Sequence, residues 1–277
     1  ELVSKGYGVV VADNLEKGHR QAVHPKAVFR AGDIRDGAFM DGLFEEFDIG
    51  CVIHFAAYSL VGESVGDPLK YYDNNVGGTR SVLRAMNAHD VKNIVFSSSA
   101  AVYGEPESVP ICEDAPMNPS SPYGASKLTM EQMMAWCDRA YGMKYVSLRY
   151  FNACGALGGG LIGEDHAPET HLIPNVLRAA TGDGPALQLF GDDYPPRDGT
   201  CVRDYIHVCD LARAHVKAAE SLMRGGGSEI ANLGSGEGYT VKEILEAAQK
   251  VVGKPIPHKI VARRAGDPAK LVASNKK

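Results

Sequence analysis

The sequence predicts an α/β protein built on a doubly wound parallel sheet. Short β-branched runs alternate with helical stretches through residues 1–152, as a βαβ chain requires. Several of these runs are apolar throughout, which suits parallel strands buried on both faces. The first of them, Val9-Val10-Val11, closes on Asp13, and a strand ending in an acid is half of a dinucleotide-binding signature.

The opening "ELVSKGYG" reads as the end of a helix followed by a glycine turn. Strands are expected at Gly8–Asp13, Ala27–Asp33, Cys51–Ala57, Asn93–Ala100 and Tyr145–Asn152, with helices at Gly37–Phe47, Pro68–His89 and Tyr123–Tyr141. Beyond Asn152 the chain turns rich in Gly, Pro and Asp, the texture of loops that carry ligand contacts. A helix is expected at Leu172–Ala180, a strand at Leu187–Phe190, a helix at Ile206–Met223, a strand at Glu229–Gly234 and a last helix at Thr240–Val252. Two domains result: residues 1–152 with 202–238 returning to them, and a smaller α/β substrate-binding region of 153–201 and 239–277.

Composition narrows the function. The 277 residues carry a net charge of -5 and no long run of one sign, so neither nucleic acid nor a membrane surface is an expected partner. No stretch approaches the ~18 apolar residues of a membrane span. Six scattered cysteines without a C-x-x-C pair read as free thiols of a reducing, cytoplasmic setting. His166 and His171 are the closest histidine pair in a plausible loop, and a structural or solvated role is expected for both, with no metal site. "NLGSGEGYTVKEIL" imitates a phosphate loop, but Gly234, Gly236 and Gly238 are spaced two and two. Tyr239 stands where the third glycine of G-x-G-x-x-G belongs, so a tight turn is expected there.

Catalytic chemistry concentrates in "SPYGASK". Tyr123 and Lys127 form the single Y-x-x-x-K of the chain, and residues four apart share one helix face. An ammonium beside a phenol favours the phenolate and would bring its pKa down from ~10 towards neutrality, making Tyr123 a general base. Ser99 ends the preceding apolar strand, where open α/β sheets place their ligands. Together they make a proton-handling trio: Ser99 hydrogen-bonds the reacting hydroxyl, Tyr123 takes its proton and Lys127 holds Tyr123 ionised.

Asp13-Asn14, Gly32-Asp33-Ile34, "HFAA" (His54–Ala57), "NNVGGT" (Asn74–Thr79), "SSSAAVYG" (Ser97–Gly104), "SPYGASK" (Ser121–Lys127), "RYFNACGA" (Arg149–Ala156), "FGDDYPPRDGTCVRDYIHVCDLA" (Phe190–Ala212) and "RRAGDPA" (Arg263–Ala269) fall in one order. Through them the chain resembles, over nearly its whole length, the sugar-nucleotide epimerases of the extended short-chain dehydrogenase/reductase family. The resemblance implies a Rossmann-like fold, bound NAD and reversible 4-epimerisation of UDP-glucose and UDP-galactose through a transient 4-keto sugar. It also implies a homodimer through Pro68–His89 and Tyr123–Tyr141. For NAD it implies Asp13 and Asn14 at the adenosine ribose, with Asp13 disfavouring a 2′-phosphate. Asp33 and Ile34 would flank the adenine, the plain alternative being that Asp33 only caps the next helix. Phe55, Ala56 and Ala57 would lie along the pyrophosphate and nicotinamide ribose, Asn75 and the Phe151 backbone beside the nicotinamide. For the sugar nucleotide it implies Asn152, His171, Leu172, Gln188, Leu189, Phe190, Arg203, Arg264, Asp267 and, near the sugar 2-substituent, Leu271. Arg203 has a bland alternative, an ion pair with Asp204.

A 4,6-dehydratase would need an acid and a base just after Ser99, where Ala100 and Ala101 stand and move no protons. UDP-glucuronate or a UDP-pentose remains an alternative substrate. Family members also begin with a strand and a G-x-x-G-x-x-G loop that residues 1–277 do not contain, and they continue beyond "LVASNKK". A fragment truncated at both ends is therefore expected, lacking its first strand and the amides that grip the pyrophosphate, and binding NAD poorly.

Overall fold

The computed structural model describes residues 1–195, 197–263 and 268–277. Strands run β1 Val10–Asp13, β2 Val28–Ala31, β3 Val52–His54, β4 Asn93–Ser97, β5 Lys144–Tyr150, β6 Asn152–Cys154, β7 Leu187–Phe190, β8 Val202–Arg203, β9 Tyr205–His207, β10 Glu229–Leu233, β11 Tyr239–Thr240, β12 His258–Val261 and β13 Lys270–Leu271. The α-helices are α1 Gly37–Glu46, α2 Val61–Gly66, α3 Pro68–Tyr71, α4 Gly78–Ala88, α5 Pro122–Tyr141, α6 Leu172–Thr181, α7 Val208–Met223 and α8 Val241–Val252. The chain separates into two compact units, residues 1–105, 115–150 and 210–232 in one and 106–114, 151–209 and 233–277 in the other.

In the first unit β1 and β2 run parallel, from Val10 opposite Val28 to Asp13 opposite Ala31. A four-stranded sheet has the order β10-β5-β4-β3, with β3, β4 and β5 parallel. Burial on both faces explains the sequence of β4, whose Ile94, Val95 and Phe96 are fully buried. Ile94 and Phe96 join Met40, Leu43, Val82, Leu83, Met86, Met130 and Met134 in the core. Of the four strongly apolar helix-borne positions in α4, Val82, Leu83, Ala85 and Met86 all turn inward, leaving Arg80, Arg84 and Asn87 outside, the spacing of an amphipathic helix.

The single helix expected over Pro68–His89 is divided. A wider π-type turn at Tyr72–Gly77 separates α3 from α4 and buries Asn74 and Asn75. Such turns realign side chains at functional positions. Helix α5 starts where the sequence places it: Ser121 accepts a hydrogen bond from the Gly124 N–H at 3.2 Å and Pro122 occupies the first turn. A Cβ on Gly124 would lie 2.4 Å from the Ala101 carbonyl oxygen, so glycine alone lets the helix start lie this close to the chain that follows β4.

In the second unit β8 pairs antiparallel with β11 and parallel with β13, β7 pairs with β12 and β6 with β9. Val176, Ala179, Ala180, Leu187, Leu189, Leu245 and Ile256 form its core. Residues 202–209 and 233–238, expected to return to the cofactor-binding domain, group here instead because β8, β9 and β11 find their partners here. Residues 106–114 join them through Ile111, which donates to Val272 O and accepts from Ser274 N, both at 2.8 Å. Ile206, expected to open a helix, lies in β9, and α7 begins at Val208. Helix α8 carries a full capping box, Thr240 with Glu243.

Candidate active site

Serine 99 follows the carboxyl end of β4, and its Oγ accepts from the Ala101 N–H at 3.2 Å. The close seating of Gly124 brings the first turn of α5 to the same place. Tyr123 there is half-buried. Burial pushes its phenol up to about 12, while the Ser99 hydroxyl, hydrogen-bonded to it, acts in the opposite direction. Lys127 is buried, donates to Ser97 O at 2.9 Å, and stands 4.9 Å from the Phe96 ring centre and 5.9 Å from that of Tyr123. Burial brings its ammonium down to about 7, with Glu131 pulling the other way. The expected trio is thus assembled, but the expected direction of the Tyr123 shift is reversed. Desolvation of the phenolate outweighs an ammonium that is itself being desolvated.

Sequence reading missed what stands behind Lys127. Glu131 is the next residue on the Tyr123–Lys127 face, and the Y-x-x-x-K-x-x-x-E spacing was the available signal. Its Oε1 accepts from Ser98 Oγ at 2.5 Å and from Arg149 Nε at 2.9 Å, and its Oε2 from Arg149 Nη2 at 2.6 Å. Arg149 continues through Nη1 to the Tyr103 hydroxyl at 2.9 Å, and that hydroxyl donates to Asn232 at 2.7 Å. His54 is also buried; its Nε2 meets Thr79 Oγ1 at 2.9 Å, and burial lowers it to about 3, so it stays neutral.

The cofactor candidates gather at strand ends of the first unit. Asp13 closes β1 and accepts from the Leu15 N–H at 2.6 Å; Asn14 is exposed beside it and accepts from Glu16 N at 3.0 Å. Phe55, just past β3, leaves 57% of its surface exposed and packs at 4.7 Å on the His215 ring; Ala56 and Ala57 are half-buried. The Tyr58 hydroxyl donates to Glu16 at 2.7 Å, so the loops leaving β1 and β3 meet. Helix capping belongs to Asp36, which accepts from Ala38 N and Phe39 N. Asp33 instead binds Arg35 at 2.6 and 3.0 Å, which holds it down at about 2. Ile34 is half-buried and lies where a Cβ on Gly78 would come within 2.6 Å.

Asn75 departs from expectation. Its amide donates to Tyr58 O and Ser126 Oγ, both at 3.1 Å, and accepts from Tyr58 N at 2.8 Å and Asn74 Nδ2 at 3.1 Å. All four hydrogen-bonding positions of the side chain are taken, so Asn75 ties the loop after β3 to α5 and has none left for a nicotinamide.

The second unit holds the sugar-nucleotide candidates. Phe151 is half-buried; Asn152 donates through Nδ2 to Asp204 O at 2.9 Å. Arg203 lies in β8 and donates through Nη1 to Val202 O at 2.8 Å, and Leu271 is its register partner in β13. The Asp204 alternative for Arg203 is displaced by other donors. The fully buried Asp204 carboxylate receives Ser235 N and Oγ at 2.7 Å, Ala273 N at 3.0 Å and Gly236 N at 3.2 Å. That clasp is also what the "GSGEG" glycines serve: Gly236 and Gly238 take φ of 81 and 78° in the turn that closes on Asp204, not in a phosphate loop. In β7, Gln188 is exposed and Phe190 half-buried, while the Leu189 side chain is packed into the core, so Leu189 offers a ligand only its backbone. Leu172 opens α6 half-buried. His171 precedes it, and both His171 and His166 face carboxylates of Glu164 and Glu169, the structural of the two roles expected for them. Arg264 and Asp267 lie outside the described residues.

Strand-end Asp13, exposed Phe55 and the Ser99–Tyr123–Lys127 group together fit a dinucleotide laid along the carboxyl ends of parallel strands. Residues 1–234 match the model of the NAD dependent epimerase/dehydratase family, and the chain belongs to that family. Its fold and cofactor class are those of NAD-dependent, Rossmann-like enzymes. Among relatives, the UDP-glucose 4-epimerase of Lacticaseibacillus casei is 54% identical over 277 residues, all of this chain and 84% of that protein. The crystal structure of UDP-glucose 4-epimerase from Brucella ovis with NAD superposes with a TM-score of 0.96 at 50% identity, over 99% of this chain and 84% of that one. The enzyme from Bifidobacterium longum with NAD+ and UDP gives 0.93 at 43% identity, over 100% and 85%. Among the described residues, no helix is long and apolar enough to cross a membrane.

Proposed function

We infer that this chain interconverts UDP-glucose and UDP-galactose by transient oxidation at the sugar 4-position. The observation that carries the reading is the Ser99–Tyr123–Lys127 group beside the end of β4, in a family that uses NAD. Ser99 orients the 4-hydroxyl and Tyr123 takes its proton as the C4 hydride leaves. Bound NAD supplies the hydride acceptor and a positive charge that offsets the desolvation now holding the Tyr123 phenol up. The 4-keto sugar turns about its link to the diphosphate, takes the hydride back on the opposite face and recovers its proton from Tyr123. Lys127, anchored on Ser97 O, fixes positive charge beside the phenol throughout.

For cofactor binding, Asp13 with Asn14 beside it accepts from the adenosine ribose and repels a 2′-phosphate, Asp33 and Ile34 border the adenine, and Phe55 with Ala56 and Ala57 lines the pyrophosphate side. For the substrate, Asn152, the His171-Leu172 helix start, Gln188, Phe190 and Arg203 hold the uridine diphosphate, with Arg203 presenting a planar fork to phosphate, and Leu271 borders the sugar 2-substituent. Diphosphate binding remote from C4 retains the keto intermediate. Ala100 and Ala101 leave the sugar C5 and C6 without a proton donor or acceptor, which favours epimerisation over dehydration.

A homodimer and a cytoplasmic setting complete the proposal. Leu69, Trp136 and Val65 expose 77, 65 and 63% of their surfaces on α3, α5 and α2, an apolar set that suits a second copy. All six cysteines are free thiols, which agrees with a reducing compartment. The deciding experiment supplies the protein with UDP-galactose and NAD and follows UDP-glucose; no conversion overturns the reading.

A further inference from the structure

The segment Glu164–His171 brings four potential metal ligands together at the start of α6. The Nδ1 atoms of His166 and His171 and one oxygen each of Glu164 and Glu169 all lie within 4.8 Å of one another. His166 Nδ1 is 3.3 Å from Glu169 and 3.4 Å from Glu164, and His171 Nδ1 is 3.6 Å from Glu169 and in direct contact with Glu164. Ligands at ~2.1 Å around a tetrahedral zinc stand about 3.4 Å apart along each edge. With one oxygen taken from Glu169, the His166–Glu164 edge and one Glu169–histidine edge already have about the length a zinc ion needs, and the His171–Glu164 contact needs to open.

From this geometry we propose that Glu164, His166, Glu169 and His171 form a tetrahedral binding site for a divalent cation of the zinc class. Two carboxylates, two neutral imidazoles and a dication sum to zero charge, which suits a partly sheltered pocket. Glu169 is the sheltered member, its side chain 4% exposed, and it also receives the His171 N–H at 2.8 Å. Among the described residues neither carboxylate has a Lys or Arg partner, so the two imidazoles are the only basic side chains paired with the two acids. A protonated, hydrogen-bonded cluster is the competing explanation, and a proton and a metal compete for the same Nδ1 atoms. The convergence of one ligand atom from each of four side chains within 4.8 Å favours the metal, because pairwise hydrogen bonds do not require a common centre. The cation ties the irregular chain of residues 164–169 to His171, the residue that caps α6, and fixes that helix start. The site shares His171 with the proposed substrate contacts, and its metal-binding test does not depend on that reading.

Co2+ serves as the probe, in untagged protein stripped with chelator and dialysed. The expected result is one Co2+ per chain with the intense visible absorption of four-coordinate cobalt, bleached by one equivalent of Zn2+. His166→Ala and Glu169→Gln each weaken binding at least about tenfold, His166→Gln does the same with less change of shape, and His24→Ala leaves binding unchanged. Circular dichroism of each variant confirms that it folds. Only the weak spectrum of six-coordinate cobalt, or tight binding that survives His166→Gln and Glu169→Gln, overturns the site.

Discussion

Lys127 donates to the Ser97 carbonyl oxygen at 2.9 Å and stands 5.9 Å from the centre of the Tyr123 ring. The ammonium is anchored to the end of β4 first and serves the phenol only across a gap. Burial then depresses it to about 7, below its value of 10.5 in an unfolded chain. Between these two values the unfolded state binds more protons than the folded state, so Lys127 costs stability at low pH and the cost fades as pH rises through the window. In cofactor-free protein, urea midpoints should therefore climb from pH 7 towards 10 more steeply for wild type than for Lys127→Met. Parallel pH profiles would show that Lys127 keeps its ordinary pKa.

Tyr123 carries the proton transfer in the proposed reaction, and no neighbouring group replaces its hydroxyl. Its Tyr71 neighbour meets it edge-on at 6.5 Å, but the Tyr71 hydroxyl is committed to Glu63 and Leu60. Tyr123→Phe should lower kcat by about 10²–10⁴ while KM and NAD content stay near wild type. A kcat within a few-fold of wild type would remove Tyr123 from the chemistry.

The sequence made the sheet and the trio legible because both rest on local patterns. Apolar runs set β4 and β5, and a four-residue spacing set Tyr123 beside Lys127. What stayed hidden depends on distant partners. Two-residue strands such as Val202–Arg203 and Lys270–Leu271 are too short to show a period of two and exist only through pairing, Val202–Arg203 with both Lys270–Leu271 and Tyr239–Thr240. Asn75 was assigned to a ligand because an amide's type does not reveal that four protein groups already satisfy it. The glycines after Leu233 read as a tight turn, as found, but the partner they close on, Asp204, lies about thirty residues away in sequence and left no local signal.

Glu131 and Arg149 form a buried ion pair with side chains 4% and 1% exposed. Removing one member strands the other in the interior, which costs about 3–5 kcal/mol. Glu131→Leu should therefore destabilise the protein by that amount in urea titrations. It also takes away the charge that helps Lys127 keep its proton, so the alkaline loss of kcat should move to lower pH. A change under about 1 kcal/mol would mean that Arg149 finds another counter-ion.

Asp13 sits at the carboxyl end of β1 with one oxygen held by the Leu15 N–H, an arrangement that fixes the carboxylate before any cofactor arrives. Its charge opposes a 2′-phosphate. Asp13→Ser should weaken NAD binding and narrow its preference over NADP by about tenfold or more, measured as the ratio of the two dissociation constants. An unchanged ratio would place the discrimination elsewhere.

Gly124 provides a test in which two effects oppose each other. Alanine in place of a helical glycine gains about 0.8–1.0 kcal/mol from propensity. Here, however, the new Cβ would meet Ala101 O at 2.4 Å and its carbonyl carbon at 3.0 Å, and forcing atoms into such a contact costs about 1–3 kcal/mol. The contact is with backbone, which cannot swing aside as a side chain does, so the helix start must move away from the residues following Ser99. Displacement of about 1 Å at a reacting group costs on the order of 10²-fold in rate. Gly124→Ala should thus lower kcat strongly with a net stability loss of at most about 2 kcal/mol, whereas the same exchange at exposed Gly42 of α1, with nothing within 4 Å, should stabilise the protein and leave kcat alone. Full activity in Gly124→Ala would show that the Ser99–Tyr123 spacing does not depend on this close approach.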